Sequence, residues 1–275
     1  MCSGIVGRSM KQETAIDTAN HADTRELTVG SLNVVVSSDG EALSGLAAEL
    51  FARTVESALS EKNHAAAILA TGQSQIRFYE KLIARSDVDW ERLTLFHMDE
   101  YLGLPGDHPS SFRHYLRERV ESQVPCREFH YLVGDAAEPA TECDRYAALL
   151  QAQPIDVCVL GVGNNGHLAF NDPPVARFDD PFPVKIVKLD EVCRQQQVNQ
   201  GHFPGIDAMP AYALTLSIPT LCSARRLLCL APGEHKAEIV QTMLTGPISP
   251  ECPASILRQM PQATLLLEEA SARLI

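Results

Sequence analysis

The sequence predicts an α/β fold: a doubly wound, mostly parallel sheet with helices on both faces, a Rossmann-like three-layer sandwich. Three observations carry this. Short apolar runs rich in β-branched residues, each the length of a buried strand, alternate with helical patterns from about residue 30 onward. Several runs end abruptly in glycines and polar residues, as strands of open α/β sheets do where they turn into ligand-binding loops. No internal repeat or low-complexity linker divides the 275 residues, so residues 26–275 read as a single domain. Residues 1–25 carry few large apolar residues and no steady period, which predicts a mobile arm.

Taken in order, Leu32 to Val36 is a first strand, and Ser38-Asp39-Gly40 turns it into a long helix with Leu43, Leu46, Ala47, Leu50, Phe51, Val55, Ala58 and Leu59 on one face. Ala65 to Ala70 is the next buried strand. It ends in Thr71-Gly72-Gln73-Ser74, and a helix follows with Ile76, Phe78, Tyr79, Leu82 and Ile83 as its apolar marks. Leu93 to Phe96 is a further strand that delivers His97-Met98-Asp99-Glu100-Tyr101, and an irregular glycine and proline loop leads to a helix over Phe112 to Val120. Phe129 to Leu132 reads as a strand, Cys143 to Leu150 as a helix, and Ile155 to Leu160 as a buried strand opening into Gly161-Val162-Gly163-Asn164-Asn165-Gly166-His167. Pro173 to Pro183 is a loop long enough to be a lid. Val184 to Leu189 returns to strand, Asp190 to Val198 to helix, and Tyr212 to Ile218 and Arg226 to Leu230 to strands. Pro232-Gly233-Glu234-His235-Lys236 starts a helix running to about Leu244, Pro253 to Arg258 is a short helix, and Thr264 to Leu267 is the last strand.

Bulk composition narrows the function. With 23 Lys and Arg against 35 Asp and Glu, the net charge of -12 argues against non-specific nucleic-acid binding and does not favour an anionic membrane surface. An anionic substrate must therefore be met by local cations or backbone amides. The eight cysteines never form a Cys-x-x-Cys pair, a spread that fits reduced thiols of a cytoplasmic protein rather than a disulfide framework or a zinc site. No apolar run approaches the length of a membrane span, and the N-terminus lacks a signal peptide's apolar core.

Chemistry gathers at the predicted strand ends. The loop after Leu160 places Asn164, Asn165, His167, Asn171 and Asp172 at the mouth of a crevice, although a glycine turn with a satisfied histidine would read the same way. Thr71 to Ser74, between a strand and a helix start, collects unpaired N–H donors suited to a phosphate, or is a plain helix cap at Ser74. Asp99 and Glu100 are two adjacent carboxylates at a strand's carboxyl end, where one is a candidate proton carrier. Lys236 in a first helical turn opposes the helix dipole, which points to an anionic partner as the alternative to a solvated surface lysine.

Three of these stretches, ATGQSQ at 70–75, FHMDEYLGLPGDHPSSF at 96–112 and LGVGNNGHLAFNDPP at 160–174, with PGEHKAE at 232–238 in support, resemble the glucosamine-6-phosphate deaminase (isomerase) family. That family in turn resembles 6-phosphogluconolactonases, which lack the MDEYxGLP loop. The resemblance implies a deaminase that converts glucosamine 6-phosphate to fructose 6-phosphate and ammonia, with no metal and no cofactor. It implies Asp99 as the base for the C2 proton, His167 as the ring-opening histidine, and Asp172 as the residue orienting it. Glu100 is expected to hold the loop. Substrate and phosphate would rest on Thr71, Gly72, Gln73, Ser74 and Gly163, with Arg194 and Lys236 supplying charge. Members of the family can be hexamers, so the expected partners are a phosphorylated amino sugar and a homo-oligomer, with no nucleic acid and no membrane.

This chain departs from well-known members at the catalytic loop. Asn165, counted here with the catalytic set, stands where they have Asp, and Asp172 stands where they have Glu. Gln73 and Gln75 depart from their phosphate loop. Three alternatives follow: a 6-phosphogluconolactonase in which His167 activates water, a deaminase for another amino-sugar phosphate such as galactosamine 6-phosphate, and a sensor that keeps the pocket without turnover.

Overall fold

The computed structural model describes residues 24–199 and 201–275. The predicted arm therefore lies outside the described residues except at its last two positions, and Arg25 already opens a strand.

That strand, β1 (Arg25–Val29), pairs antiparallel with β2 (Leu32–Ser37). Its sequence RELTV has no apolar run because it is a half-exposed edge, which is why the pattern did not reveal it. After β2 come α1 (Gly40–Glu61), capped by the Asp39 carboxylate on the Ala42 N–H at 2.9 Å, then β3 (Ala65–Leu69) and α2 (Ile76–Ile83). Next are β4 (Leu93–His97), β5 (Asp99–Tyr101), α3 (Phe112–Leu116), β6 (Glu128–His130), α4 (Pro139–Gln151) and β7 (Val157–Gly161). The chain continues through β8 (Val184–Lys188), α5 (Glu191–Asn199), β9 (Tyr212–Leu216), α6 (Ile218–Cys222), β10 (Arg226–Leu230), α7 (Ala237–Thr245) and β11 (Ala263–Glu268).

Eight strands form the main sheet in the order β1-β2-β11-β10-β7-β3-β4-β6, parallel except for the first pair. Both faces are covered, and the alternation along each strand shows it. Val34, Ala66, Ile68, Cys158, Leu160, Leu227 and Cys229 enter the core with α4 and α7, while Val35, Ala67, Leu69, Val159 and Leu228 enter the one with α1 and α2. This is the expected three-layer sandwich, and side chains alternating across the pleat explain why the runs are apolar at every position.

The structure adds a second, three-stranded antiparallel sheet, β5-β9-β8. The runs at Val184 and Tyr212 are strands as expected, but they belong to this small sheet. Ile218, read as the end of a strand, instead begins α6, where Ser217 and Pro219 favour a helix start.

The order of strands locates the crevice. From β3 the chain moves one way to β4 and β6, and from β7 it moves the other way to β10 and β11, so the reversal falls between β7 and β3. Ligands of open α/β sheets bind outside such a point. Pairing there is limited to Ala67 with Val157 and Ile68 with Cys158, so the two strands are no longer laddered as they approach their carboxyl ends.

Candidate active site

Four adjacent strands, β10, β7, β3 and β4, deliver in that order Lys236, the 162–172 loop, the Thr71–Ser74 turn and Asp99. The predicted residues come from distant stretches of sequence, and the sheet sets their exits side by side.

The 162–172 loop is held tightly. The Gly163 N–H donates to the His167 carbonyl and the Gly166 N–H to the Gly163 carbonyl, both at 3.0 Å. Gly166 has φ +84, and a Cβ there would stand 2.8 Å from Cys252 Sγ, so only glycine fits. Gly163 was expected to contact substrate. In the structure a Cβ on it would collide with the His167 ring, so its bare α-carbon is the surface on which the imidazole rests. Buried Asn171 donates to the carbonyls of Leu168 and Leu216 at 2.9 Å each, pinning the loop to β9.

His167 Nδ1 faces two acceptors. Asn165 Oδ1 lies at 2.8 Å and Asp172 Oδ1 at 3.0 Å, and Asn165 Nδ2 donates to the same Asp172 oxygen at 2.8 Å. The shorter Asp172 thus reaches the imidazole, and Asn165 bridges the pair. Two oxygens at Nδ1 place the ring proton there and leave the Nε2 lone pair for a ligand. Asp172 is 2% exposed whereas the His167 side chain is 31% exposed, so the ring is both braced and reachable.

Asp99 opens β5 and pairs with Thr215 on β9. It is buried, and burial first, with the neighbouring Glu100 charge second, pushes its carboxyl well above the usual carboxylate range. Thr215 Oγ1 accepts from the Phe170 N–H at 3.1 Å, so β9 ties the Asp99 strand to the histidine loop. Thr215 carries no motif in sequence and was missed. His97, one residue before Met98, accepts from the Leu132 N–H and is pushed down to about 3 by burial and by Arg113, so it stays neutral.

Glu100 holds the loop, as expected. Its carboxylate accepts from the N–H groups of Tyr101, Phe112 and Arg113, from the Ser111 hydroxyl, and from Arg113 Nε at 3.3 Å. It thereby caps the start of α3 and pairs a buried guanidinium. Glu100→Ala strips the acceptor from the Ser111, Phe112 and Arg113 donors while Asp135 still pairs Arg113 Nη1 at 2.9 Å, and is expected to lower the unfolding free energy by about 2–4 kcal/mol. Urea unfolding checks this, and a loss below about 1 kcal/mol would refute the capping account.

At the anion turn, the Gly72 carbonyl accepts from Tyr115 Oη at 2.9 Å and from the Gln75 N–H at 3.1 Å. Gln73 is exposed, Thr71 and Ser74 are half-buried, and a Cβ on Gly161 would stand 3.4 Å from Ser74 Oγ, so the turn sits over the β7 exit. Lys236 ends a 3-10 turn before α7 and donates to Asn164 Oδ1 at 2.7 Å, bridging two strand exits. Burial pushes its ammonium down to about 8. Arg194, expected to supply charge to the phosphate, donates from Nη2 to the Ile206 and Met209 carbonyls at 2.7 and 2.6 Å, so that segment holds one end of its guanidinium.

Comparisons with known proteins identify the family. The family model described as glucosamine-6-phosphate isomerases/6-phosphogluconolactonase matches residues 38–266. A glucosamine-6-phosphate deaminase of Exiguobacterium sibiricum is 37% identical over 209 residues, 75% of this chain and 80% of that protein. One of Bacillus cereus is 31% identical over 245 residues, 88% of this chain and 89% of the other. The solved structure of a monomeric glucosamine-6-phosphate deaminase superposes with a TM-score of 0.79 at 34% identity, covering 88% of this chain and 99% of that one. With the match running through the anion turn, the Asp99 strand and the His167 loop alike, the chain belongs to the glucosamine-6-phosphate isomerase/6-phosphogluconolactonase family.

Proposed function

We propose that this protein isomerises and deaminates glucosamine 6-phosphate, giving fructose 6-phosphate and ammonia. The observation that carries the reading is a buried carboxyl of raised pKa, Asp99, and a braced imidazole, His167, at strand exits on either side of one anion turn. In this reading His167 moves a proton at the ring oxygen through Nε2 and opens the sugar. Asp99 takes the C2 proton and returns it to C1, which converts the amino aldehyde through an enolamine to a C2 imine. Water adds to that imine and ammonia leaves. The elevated pKa makes Asp99 a stronger base than an ordinary carboxylate. Thr71 to Ser74 and Lys236 take the phosphate.

Ammonia release and fructose 6-phosphate formation from glucosamine 6-phosphate test the proposal, with galactosamine 6-phosphate and 6-phosphogluconolactone assayed beside it. Turnover of the glucosamine phosphate above both is expected. Lactone hydrolysis without ammonia release from either amino sugar would overturn it.

Lys236 adds a pH dependence. Its ammonium loses the proton as pH rises through about 8, so inhibition by inorganic phosphate is expected to weaken above that pH. Lys236→Gln removes this limb and raises the inhibition constant at pH 7 by about 10- to 100-fold, the worth of one charge-assisted hydrogen bond. An unchanged profile in the variant would take Lys236 out of the phosphate site.

The partner proposed is a phosphorylated amino sugar. A homo-oligomer is proposed for the assembly, against the monomer described for the 34% identical structure, and sedimentation equilibrium separates the two. Cytoplasmic residence is proposed from the free thiols of Cys126, Cys143, Cys158, Cys222, Cys229 and Cys252.

A further inference from the structure

Gln75 lies directly behind the anion turn, completely buried, at the end of the 3-10 turn Gln73–Gln75. Its Nε2 is 3.0 Å from Ser74 Oγ, and its Oε1 is enclosed without a hydrogen-bond partner among the described residues. Reversing the amide would put an NH2 group, with two hydrogens to satisfy, where no acceptor stands, and orphaned N–H donors are rarer than under-satisfied carbonyl oxygens. The nitrogen therefore faces Ser74. A hydroxyl has one proton and two lone pairs. With Gln75 donating to a lone pair, the Ser74 proton must turn to another acceptor, and no described protein group takes it.

The backbone acceptors of the same turn are occupied as well. Tyr79 Oη donates to the Ala70 carbonyl, and Tyr115 Oη and the Gln75 N–H donate to the Gly72 carbonyl. A Cβ on Gly161 would stand 3.4 Å from Ser74 Oγ and 3.5 Å from Gln75 Nε2, which puts the pair beside the exit of β7.

We propose that Gln75 is a positioning residue that fixes the Ser74 hydroxyl as a donor into the crevice and so makes the turn selective for an acceptor-only phosphate. The inference rests on the phosphate reading of the Thr71–Ser74 turn. It gives a purpose to a residue that departs from the phosphate loop of well-known relatives.

The test uses Gln75→Met, which keeps the length and loses the donor, Gln75→Glu, which replaces the donor with an anionic acceptor, Ser74→Ala, and the Ser74→Ala/Gln75→Met double variant. Steady-state kinetics with glucosamine 6-phosphate and calorimetric binding of inorganic phosphate are the readouts. Gln75→Glu is expected to raise KM and the phosphate dissociation constant together by about 10- to 100-fold, with kcat within about 3-fold of wild type. Gln75→Met and Ser74→Ala each raise both constants by about 3- to 10-fold, and the double variant is no worse than the poorer single one. Phosphate binding unchanged in Gln75→Met, losses that multiply in the double variant, or a fall in kcat at constant KM would each overturn the proposal. If wild type binds phosphate normally, such a result leaves the phosphate reading intact. If wild type binds neither inorganic phosphate nor the sugar phosphate, the phosphate reading fails and this inference with it.

Discussion

Asp99→Asn is expected to lower kcat by about 10²- to 10⁴-fold while raising the melting temperature. The first effect follows from losing the base at C2. The second follows from linkage, because burial raises the Asp99 carboxyl in the folded state. Above its ordinary value of 3.8 an unfolded chain gives up this proton while the folded chain keeps it. Stability therefore falls as pH climbs from there until the folded carboxyl ionises too, and the full penalty remains at higher pH. Asn removes that penalty and keeps the shape. Wild-type kcat/KM should likewise fall as pH drops through the raised pKa, well above the ordinary carboxylate range. Rate assays and thermal melts on the same preparation check both halves. Unchanged turnover would remove the proposed base, and a lower melting temperature would contradict the burial argument.

His167→Gln is the second large effect, with kcat expected to fall by about 10²- to 10⁴-fold. The imidazole is proposed to open the sugar ring, so the variant should still bind an open-chain amino-alditol phosphate as tightly as wild type. Calorimetry with that analogue separates the roles. Equal loss of analogue binding and turnover would make His167 a binding residue and move ring opening elsewhere. Neighbouring Asn165 and Asp172 brace Nδ1 alone, so a glutamine in this place has no equivalent of the free Nε2.

The layered fold was legible because its parallel strands are buried on both faces, and runs such as VCVLG at β7 have no polar residue to blur them. The small sheet was not. Its first strand has three residues, and Asp99 finds its partner Thr215 more than a hundred positions away, a pairing no local pattern records. Among the proposed site residues, His167, Asp172 and Lys236 were singled out from glycine loops and charge. The bridging of His167 to Asp172 through the Asn165 amide depends on a turn geometry that sequence does not state. The surroundings of Arg194 were hidden for a related reason. A helical arginine goes to whichever acceptors the fold brings up, and here these are the carbonyls of Ile206 and Met209. Gln75 looked like an intruder in the anion turn, and only its burial shows that it faces Ser74.

The reversal of strand order between β7 and β3 has an evolutionary reading. Because each reacting group hangs from its own strand, one loop can be lengthened or rewritten while the others keep their places. Amino sugars and lactones can thus be served by exchanging parts on a common chassis. Innovation in such a scaffold is expected to accumulate between Met98 and Ser111 long before it reaches the floor beneath.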